Sequence, residues 1–240
     1  MKRNRYFAVT LLAVTFVIFL EISGCKQEPE SSEKGSVSIE DIKIGYPDIE
    51  SQKQRMDGFL GIVEQGKRLG NPDETLRCMV EEVPLNYIAG RLEVMSQEAS
   101  ADSKPNIAIL LERIREIRSL RGDKASVFIK KLKEEKDVNA LCISLSGLRT
   151  EAAQAKAADA LASIGDSKAA KVLTIQLVGA SGMAMGGAEG RILREQLRRS
   201  LVGALASCTG LYFSDYDPSN ESASLKVVKQ CEDWLEKHGR

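Results

Sequence analysis

The spacing of apolar residues from Pro47 onward is the feature that most constrains how this chain can fold. Apolar residues recur there at intervals of three and four, and no convincing strand pattern is found. This spacing gathers apolar side chains on one face of a helix, so the sequence predicts an all-α domain of amphipathic helices. The clearest stripes are Leu76-Met79-Val80-Val83, Leu85-Ile88-Leu92-Met95, Ile107-Leu110-Leu111-Ile114-Ile117, Val138-Leu141-Cys142-Leu145-Leu148 and Leu193-Leu197-Leu201-Ala204-Leu205-Cys208.

Local signals indicate where several helices begin. Asn71 followed by Pro72 combines a side chain that accepts hydrogen bonds from backbone amides with a proline at the first helical position. By the same reasoning, Pro105 is expected to start a helix, and Asp123 and Thr150 are expected to cap two others. These signals predict helices separated by short polar turns.

One type of turn recurs along the chain, in which a helix ends at a glycine and a polar residue caps the next helix. The glycines concerned are Gly70, Gly122, Gly165 and Gly210, spaced by 52, 43 and 45 residues. The last two intervals match the period of about 40–47 residues found in HEAT and armadillo arrays.

Residues 150–178 contain the clearest example of this unit. An alanine-rich stretch after Thr150 leads through Gly165-Asp166 to a second stripe containing Leu173 and Leu177. The stretch resembles a HEAT-like repeat of the short bacterial kind, which implies a short HEAT-like α-solenoid of stacked helical hairpins. An irregular α-helical bundle is the alternative. A tetratricopeptide array fits less well because its period is about 34 residues.

The N-terminus has the order of features found in a secretory signal. Basic residues at positions 2, 3 and 5 precede an apolar run over residues 6–20. That run is shorter than the roughly twenty residues that a membrane-spanning helix needs. The segment that follows, Ile22-Ser23-Gly24-Cys25, resembles the lipobox of bacterial lipoproteins.

The lipobox resemblance implies a processed and acylated protein. In that family the signal is cut before the cysteine, and Cys25 would then carry a diacylglycerol thioether and an acylated amine, with palmitate among the chains. Two or three acyl chains hold a domain on a bilayer, whereas one chain holds it only marginally. Lys26 follows the cysteine where inner-membrane lipoproteins of some bacteria have Asp. The resemblance therefore implies a lipid-anchored envelope protein at the periplasmic face of the outer membrane rather than at the inner membrane.

Three regions are expected from these observations. Residues 1–24 form the signal peptide, residues 25–47 the lipid anchor and flexible tether, and residues 48–240 the α-helical HEAT-like repeat domain. Residues 26–36 are polar and acidic and cannot bury a core. Residues 37–46 fit either a short strand or a single helical turn and are left unassigned.

The composition argues against several functions. His238 is the only histidine and lies near the C-terminus, so no nucleophile is paired with a firmly held imidazole. The 34 basic residues are matched by 34 acidic ones, and only 5% of residues are aromatic, which disfavours nucleic-acid binding. Residues 215–226 lack the Gly and Glu of a calcium loop, so an interhelical turn is expected. No metal and no cofactor are expected.

Four cysteines besides Cys25 lie on apolar helical faces, at Cys78, Cys142, Cys208 and Cys231. None of them has the Cys-x-x-Cys spacing typical of zinc sites. The simplest interpretation is that all four are buried thiols. Export to an oxidising compartment keeps a Cys208–Cys231 disulfide as an alternative.

The segment from Gly179 to Arg198 is the candidate protein-binding site. Its first part is rich in glycine and contains two methionines, which are expected to be exposed and adaptable. Three arginines follow at helical spacing and predict an exposed basic stripe. The candidate contact residues are Met183, Met185, Arg191, Arg194 and Arg198. The alternative is a flexible insertion followed by an ordinary solvated helix face.

These observations favour a lipid-anchored, cell-envelope scaffold for protein-protein interaction. Stacked repeats present an extended face, which suits recognition better than catalysis. The expected partners are the membrane, through acylated Cys25, and an envelope protein whose identity the sequence does not specify. The alternatives are an envelope carrier that binds a small molecule or lipid between helices, and an enzyme that uses lysine or carboxylates.

Overall fold

The computed structural model describes residues 42–46, 48–64, 70–181 and 187–238. These residues form ten α-helices and no strand, so the prediction of an all-α fold is confirmed for this part of the chain. The helices are α1 (Ile49–Glu64), α2 (Pro72–Val80), α3 (Leu85–Glu98), α4 (Lys104–Ser119), α5 (Gly122–Glu134), α6 (Val138–Gly147), α7 (Glu151–Ile164), α8 (Ala170–Ala180), α9 (Gly187–Thr209) and α10 (Glu221–Lys237). Among the described helices, none is both long and apolar enough to cross a membrane.

From α5 onward the helices alternate between two layers. One layer contains α5, α7 and α9, with α7 packed against both neighbours, and the other contains α6, α8 and α10. Across the layers, α6 packs against α5 and α7, and α9 packs against α8 and α10. Stacked helical hairpins produce this alternation, because each unit buries its apolar face against the next one.

Helix α6 joins this stack to the N-terminal helices. It packs against α2, α3 and α4 as well as against α5, α7 and α8, so one core runs through both parts. Seven of its ten residues are buried, which explains its mostly apolar sequence. The last residue, Gly147, approaches α3 and α4 so closely that an added Cβ would lie 2.8 Å from Leu85 and 2.9 Å from Ile117.

The helix-start signals predict the structure well where they act over a few residues. The side chain of Asn71 accepts from the backbone N–H of Asp73 at 2.9 Å, and that of Thr150 accepts from Ala153 at 3.3 Å. Gly165 ends α7 with φ +71°, a conformation that favours glycine. Asp123 does not cap α5, because the helix begins at Gly122 and places Asp123 inside its first turn.

The segment Ile42–Tyr46 packs against the helices, so the packed domain begins before the predicted boundary at residue 48. The backbone N–H of Ile44 donates to the buried carboxylate of Glu232 on α10. The Tyr46 hydroxyl donates to the carbonyl of Val80 at 3.4 Å, and burial raises the pKa of Tyr46 to about 12. This part of the predicted tether is therefore packed on the helical domain. The rest of the predicted tether, the signal and the lipobox with Cys25 lie outside the described residues.

Candidate functional site

Part of the glycine-rich stretch in the candidate segment belongs to helices α8 and α9, so the connection between them is short. Gly179 lies in the last turn of α8, which ends at Ala180, and α9 begins at Gly187. At most six residues, 181–186, therefore lie between the two helices. Met183 and Met185 lie outside the described residues.

The expectation that Arg198 is exposed is wrong. Its residue exposure is 3%, and its guanidinium extends between α8 and the turn that precedes α10. Nε donates to the carbonyl of Ala180 at 2.7 Å, and Nη1 donates to the carbonyl of Pro218 at 3.1 Å. Nη2 lies 3.4 Å from the carboxylate of Glu221. Arg198 therefore donates to the C-terminal end of α8 and links it to the turn between α9 and α10.

The other two arginines of the predicted stripe differ from each other. Arg194 is only partly exposed and pairs with Glu151 at the start of α7. Arg191 is exposed, as expected. The continuous basic stripe is therefore absent from this helix, and the exposed charges on the neighbouring face of α9 include Arg199 instead.

An open groove runs between α7 and α9 on their outer surface. Its volume is about 760 Å³, and its lining includes small side chains or glycine at Ala162, Ser200, Gly203 and Ser207. Ile192 lies along the groove and is 65% exposed, which is unusual for a large apolar side chain. Charged residues of both signs complete the lining, at Asp159, Glu195 and Arg199.

The groove exists because α7 and α9 approach each other closely. Alanines along α7, including Ala157 and Ala160, are buried against the stack. An alanine side chain lets two helix backbones come closer than a larger residue would. A Cβ added at Gly203 would meet nothing within 4 Å, so the groove is open above this residue.

Comparisons with known protein families, with curated proteins and with solved structures give no match for this chain.

A cluster of charged side chains surrounds the turn after α2 and connects it to α1 and α8. The sequence reasoning did not identify this cluster. Glu82 pairs with both Arg55 and Lys171, and Glu81 pairs with Arg77. Burial raises the pKa of Glu81, an effect that Arg77 and Lys171 oppose. Burial also lowers the pKa of Lys171, and Glu81 opposes that shift. Because Glu82, in the turn after α2, pairs with Arg55 of α1 and Lys171 of α8, this cluster joins the N-terminal helices to the stack.

Arg113 on α4 connects this helix to α2 and α5. Its Nε and Nη2 both donate to the Asp73 carboxylate at 2.8 Å, in the paired geometry that guanidinium groups favour. The guanidinium also lies 5.4 Å from the ring centre of Phe128. Burial alone would lower the pKa of Arg113, but hydrogen bonds to Asp73 and Glu116 outweigh it and raise the pKa.

The cysteines of the described residues are free thiols, so the alternative of a Cys208–Cys231 disulfide is not formed in this structure. Cys142, Cys208 and Cys231 are buried, which confirms the prediction for these three, whereas Cys78 is half-buried. Burial raises the pKa of Cys208 to about 11 and that of Cys231 to about 12. Both thiols are therefore neutral and weakly nucleophilic near pH 7.

The described residues contain no group of three or more metal-ligating side chains. His238 is exposed at the end of α10, where its ring stacks on Trp234 with the ring centres 4.2 Å apart. The connection between α9 and α10 is a turn, as expected, in which the Asp217 carboxylate accepts from the backbone N–H of Ser219 at 2.9 Å. The α7–α9 groove borders the predicted binding segment through Ile192 and Glu195 and is therefore the candidate site for recognition.

Proposed function

We propose that this protein is a lipid-anchored scaffold of the bacterial cell envelope that binds a helix of a partner protein in the α7–α9 groove. The observation that carries the docking part is the groove itself, an open channel with a small-residue floor beside the exposed Ile192. The anchoring part rests on the lipobox-like segment ending at Cys25. The helical domain supplies recognition, and the acyl chains supply attachment.

A single amphipathic helix is the occupant that fits the α7–α9 groove best. Two packed helices form a shallow channel between them, and a third helix fits into it when the floor is small. Ala162 and Gly203 supply such a floor, and Ile192 supplies an apolar contact beside it. Asp159, Glu195 and Arg199 lie in the same lining, so a helix with both basic and acidic side chains beside its apolar stripe would be matched in charge.

Filling the groove is expected to remove the partner while leaving the fold intact. Gly203→Gln places a long side chain in the channel. An added Cβ at this position meets no atom within 4 Å, and the change improves helix propensity by about 0.5–1 kcal/mol. Chemical crosslinking in intact cells, followed by affinity purification and mass spectrometry, should show recovery of the crosslinked partner reduced about tenfold.

Gly90→Gln is the matched control for this experiment, because Gly90 is also an exposed helical glycine with nothing within 4 Å of an added Cβ. It lies on α3, away from the groove, and should recover the partner at the wild-type level. Ile192→Ser should weaken recovery without filling the channel. Equal recovery from wild type and Gly203→Gln would contradict the proposed docking site.

Lipid attachment is tested separately at Cys25. Cells grown with an alkyne-tagged palmitate should incorporate label into the wild-type protein, and a Cys25→Ala variant should carry none. The physical reason is that the cysteine thiol is the only attachment point of the diacylglycerol group in this resemblance. Cys78→Ala is the control that keeps Cys25 and should label normally. Label on the Cys25→Ala protein would exclude the anchoring part of the proposal.

A further inference from the structure

A second concave site lies between the α9–α10 connection and the first turns of α10. Its volume is about 270 Å³, and its apolar lining comes from Tyr212, Phe213, Ala223 and Val227. Tyr212 is 87% exposed, the highest exposure among the large apolar side chains noted in the described residues. We call this site the Tyr212 pocket. An exposed aromatic ring beside an apolar floor is unusual in a surface turn, because tyrosine rings normally contribute large buried area.

The polar side chains around the Tyr212 pocket fall into two groups. Asp217 and Asn220 are already used, since they accept from backbone N–H groups of Ser219 and Ala223 in the turn and at the helix start. Among the other polar side chains of the lining, Asp215, Lys226 and Gln230 are large enough to reach a ligand and have no side-chain hydrogen bond or ion pair to another described residue. The Asp215 carboxylate accepts hydrogen bonds, the Lys226 ammonium donates them, and the Gln230 amide does both.

We infer that the Tyr212 pocket binds one residue of a neutral glycan. A sugar ring has an apolar face of C–H groups and an edge of hydroxyl groups, and the pocket offers an aromatic ring and apolar floor together with donors and acceptors at the rim. The pocket is smaller than the roughly 300–1,000 Å³ typical of sites for drug-sized ligands, so a single ring fits it. An acetamido substituent suits the site further, because its methyl group matches Ala223 and Val227 and its amide matches Gln230.

The charges around the Tyr212 pocket are of both signs, which suits a neutral ligand with hydroxyl groups. Asp215 and Asp217 repel an anion, Lys226 repels a cation, and the Asp217 carboxylate already accepts from the backbone N–H and hydroxyl of Ser219. Asp215 and Lys226 can both hydrogen-bond to hydroxyl groups, which donate and accept. The inference does not rest on the proposed lipid anchor or on the α7–α9 groove, and its test can fail independently of theirs.

The experiment uses the full chain purified in a polyoxyethylene detergent, which carries neither sugar nor ammonium groups. The probes are the trimer of β-1,4-linked N-acetylglucosamine, the trimer of β-1,4-linked glucose and tetramethylammonium chloride, each titrated by saturation-transfer NMR. The N-acetylglucosamine trimer is expected to bind with a Kd on the order of 1 mM or tighter, as small ligands with few contacts do. The glucose trimer should bind more weakly because it lacks the acetamido group.

Two variants at Tyr212 decide whether the ring is responsible. Tyr212→Ala should weaken binding of the N-acetylglucosamine trimer at least tenfold, whereas Tyr212→Phe, which keeps the ring, should stay within about twofold of wild type. Since Tyr212 is 87% exposed, both variants should fold, and Val127→Ala on α5 serves as an exposed control outside the pocket. Unchanged binding in Tyr212→Ala, or binding of tetramethylammonium with neither sugar bound, would overturn the inference.

Discussion

Replacing Arg198 with Met is expected to lower the free energy of unfolding by about 2–4 kcal/mol. Methionine keeps much of the side-chain stem but removes the guanidinium. The carbonyl of Ala180, at the end of α8, then loses its charged donor, and so does the carbonyl of Pro218. A hydrogen bond to a charged group contributes about 1.5–3 kcal/mol, and a buried carbonyl left without a donor costs about 1–3 kcal/mol. The positive charge of Arg198 also stabilises the C-terminal end of α8 through the helix dipole.

Arg199→Met is the matched control for this prediction. Arg199 is the next residue on the same helix and is exposed, so its replacement should change the free energy of unfolding by no more than about 0.5 kcal/mol. Denaturant titration of both variants measures the difference, and the melting temperature of Arg198→Met should fall by about 4–16 °C. A loss below 0.5 kcal/mol in Arg198→Met would show that the guanidinium does not stabilise the fold.

The features predicted correctly from the sequence are those that depend on neighbouring residues. The cap at Thr150 involves a hydrogen bond to Ala153, three residues away, and the turn at Gly165 requires only one left-handed residue. The apolar stripes predicted helices correctly for the same reason, since helical geometry alone places their side chains on one face. The prediction that Asp123 caps α5 was wrong because the start of a helix shifts easily by one residue, and here Gly122 takes the first position.

The features missed from the sequence depend on partners far along the chain. Arg113 binds Asp73, forty residues earlier, and Lys171 pairs with Glu82, eighty-nine residues earlier. No local pattern indicates which surface charges meet in this way. For Arg198 there was a usable signal, because it lies three residues before Leu201 and therefore on the apolar face of α9. An arginine on that face is expected to be buried and to bond to the backbone.

The predicted binding segment forms only one wall of the α7–α9 groove. The segment containing Arg191 does border the α7–α9 groove, but the groove needs α7 as its other wall. Its floor residues, such as Gly203, gave no sequence signal because small residues in a helix are common and fit either a close packing or an open surface. The Tyr212 pocket likewise arises only when the turn after α9 folds back over α10.

The second large effect is expected at Leu141, in the middle of α6. Its side chain is fully buried, and α6 packs against helices on both sides of the domain, so the cavity left by Leu141→Ala cannot close by moving one neighbour. Such replacements cost roughly 2–5 kcal/mol. The melting temperature should fall by about 4–20 °C, and because one core runs through both parts the loss should occur in a single unfolding transition.

Val127→Ala on α5 is the control for Leu141→Ala, since Val127 is 68% exposed and its truncation should change the free energy of unfolding by less than about 0.5 kcal/mol. The measurement is calorimetry of both variants, with helix content followed by circular dichroism. If α6 joins the N-terminal helices to the stack, both signals fall together in Leu141→Ala. Two separate transitions would instead show that α2–α4 and α5–α10 unfold independently, and that α6 belongs to only one of them.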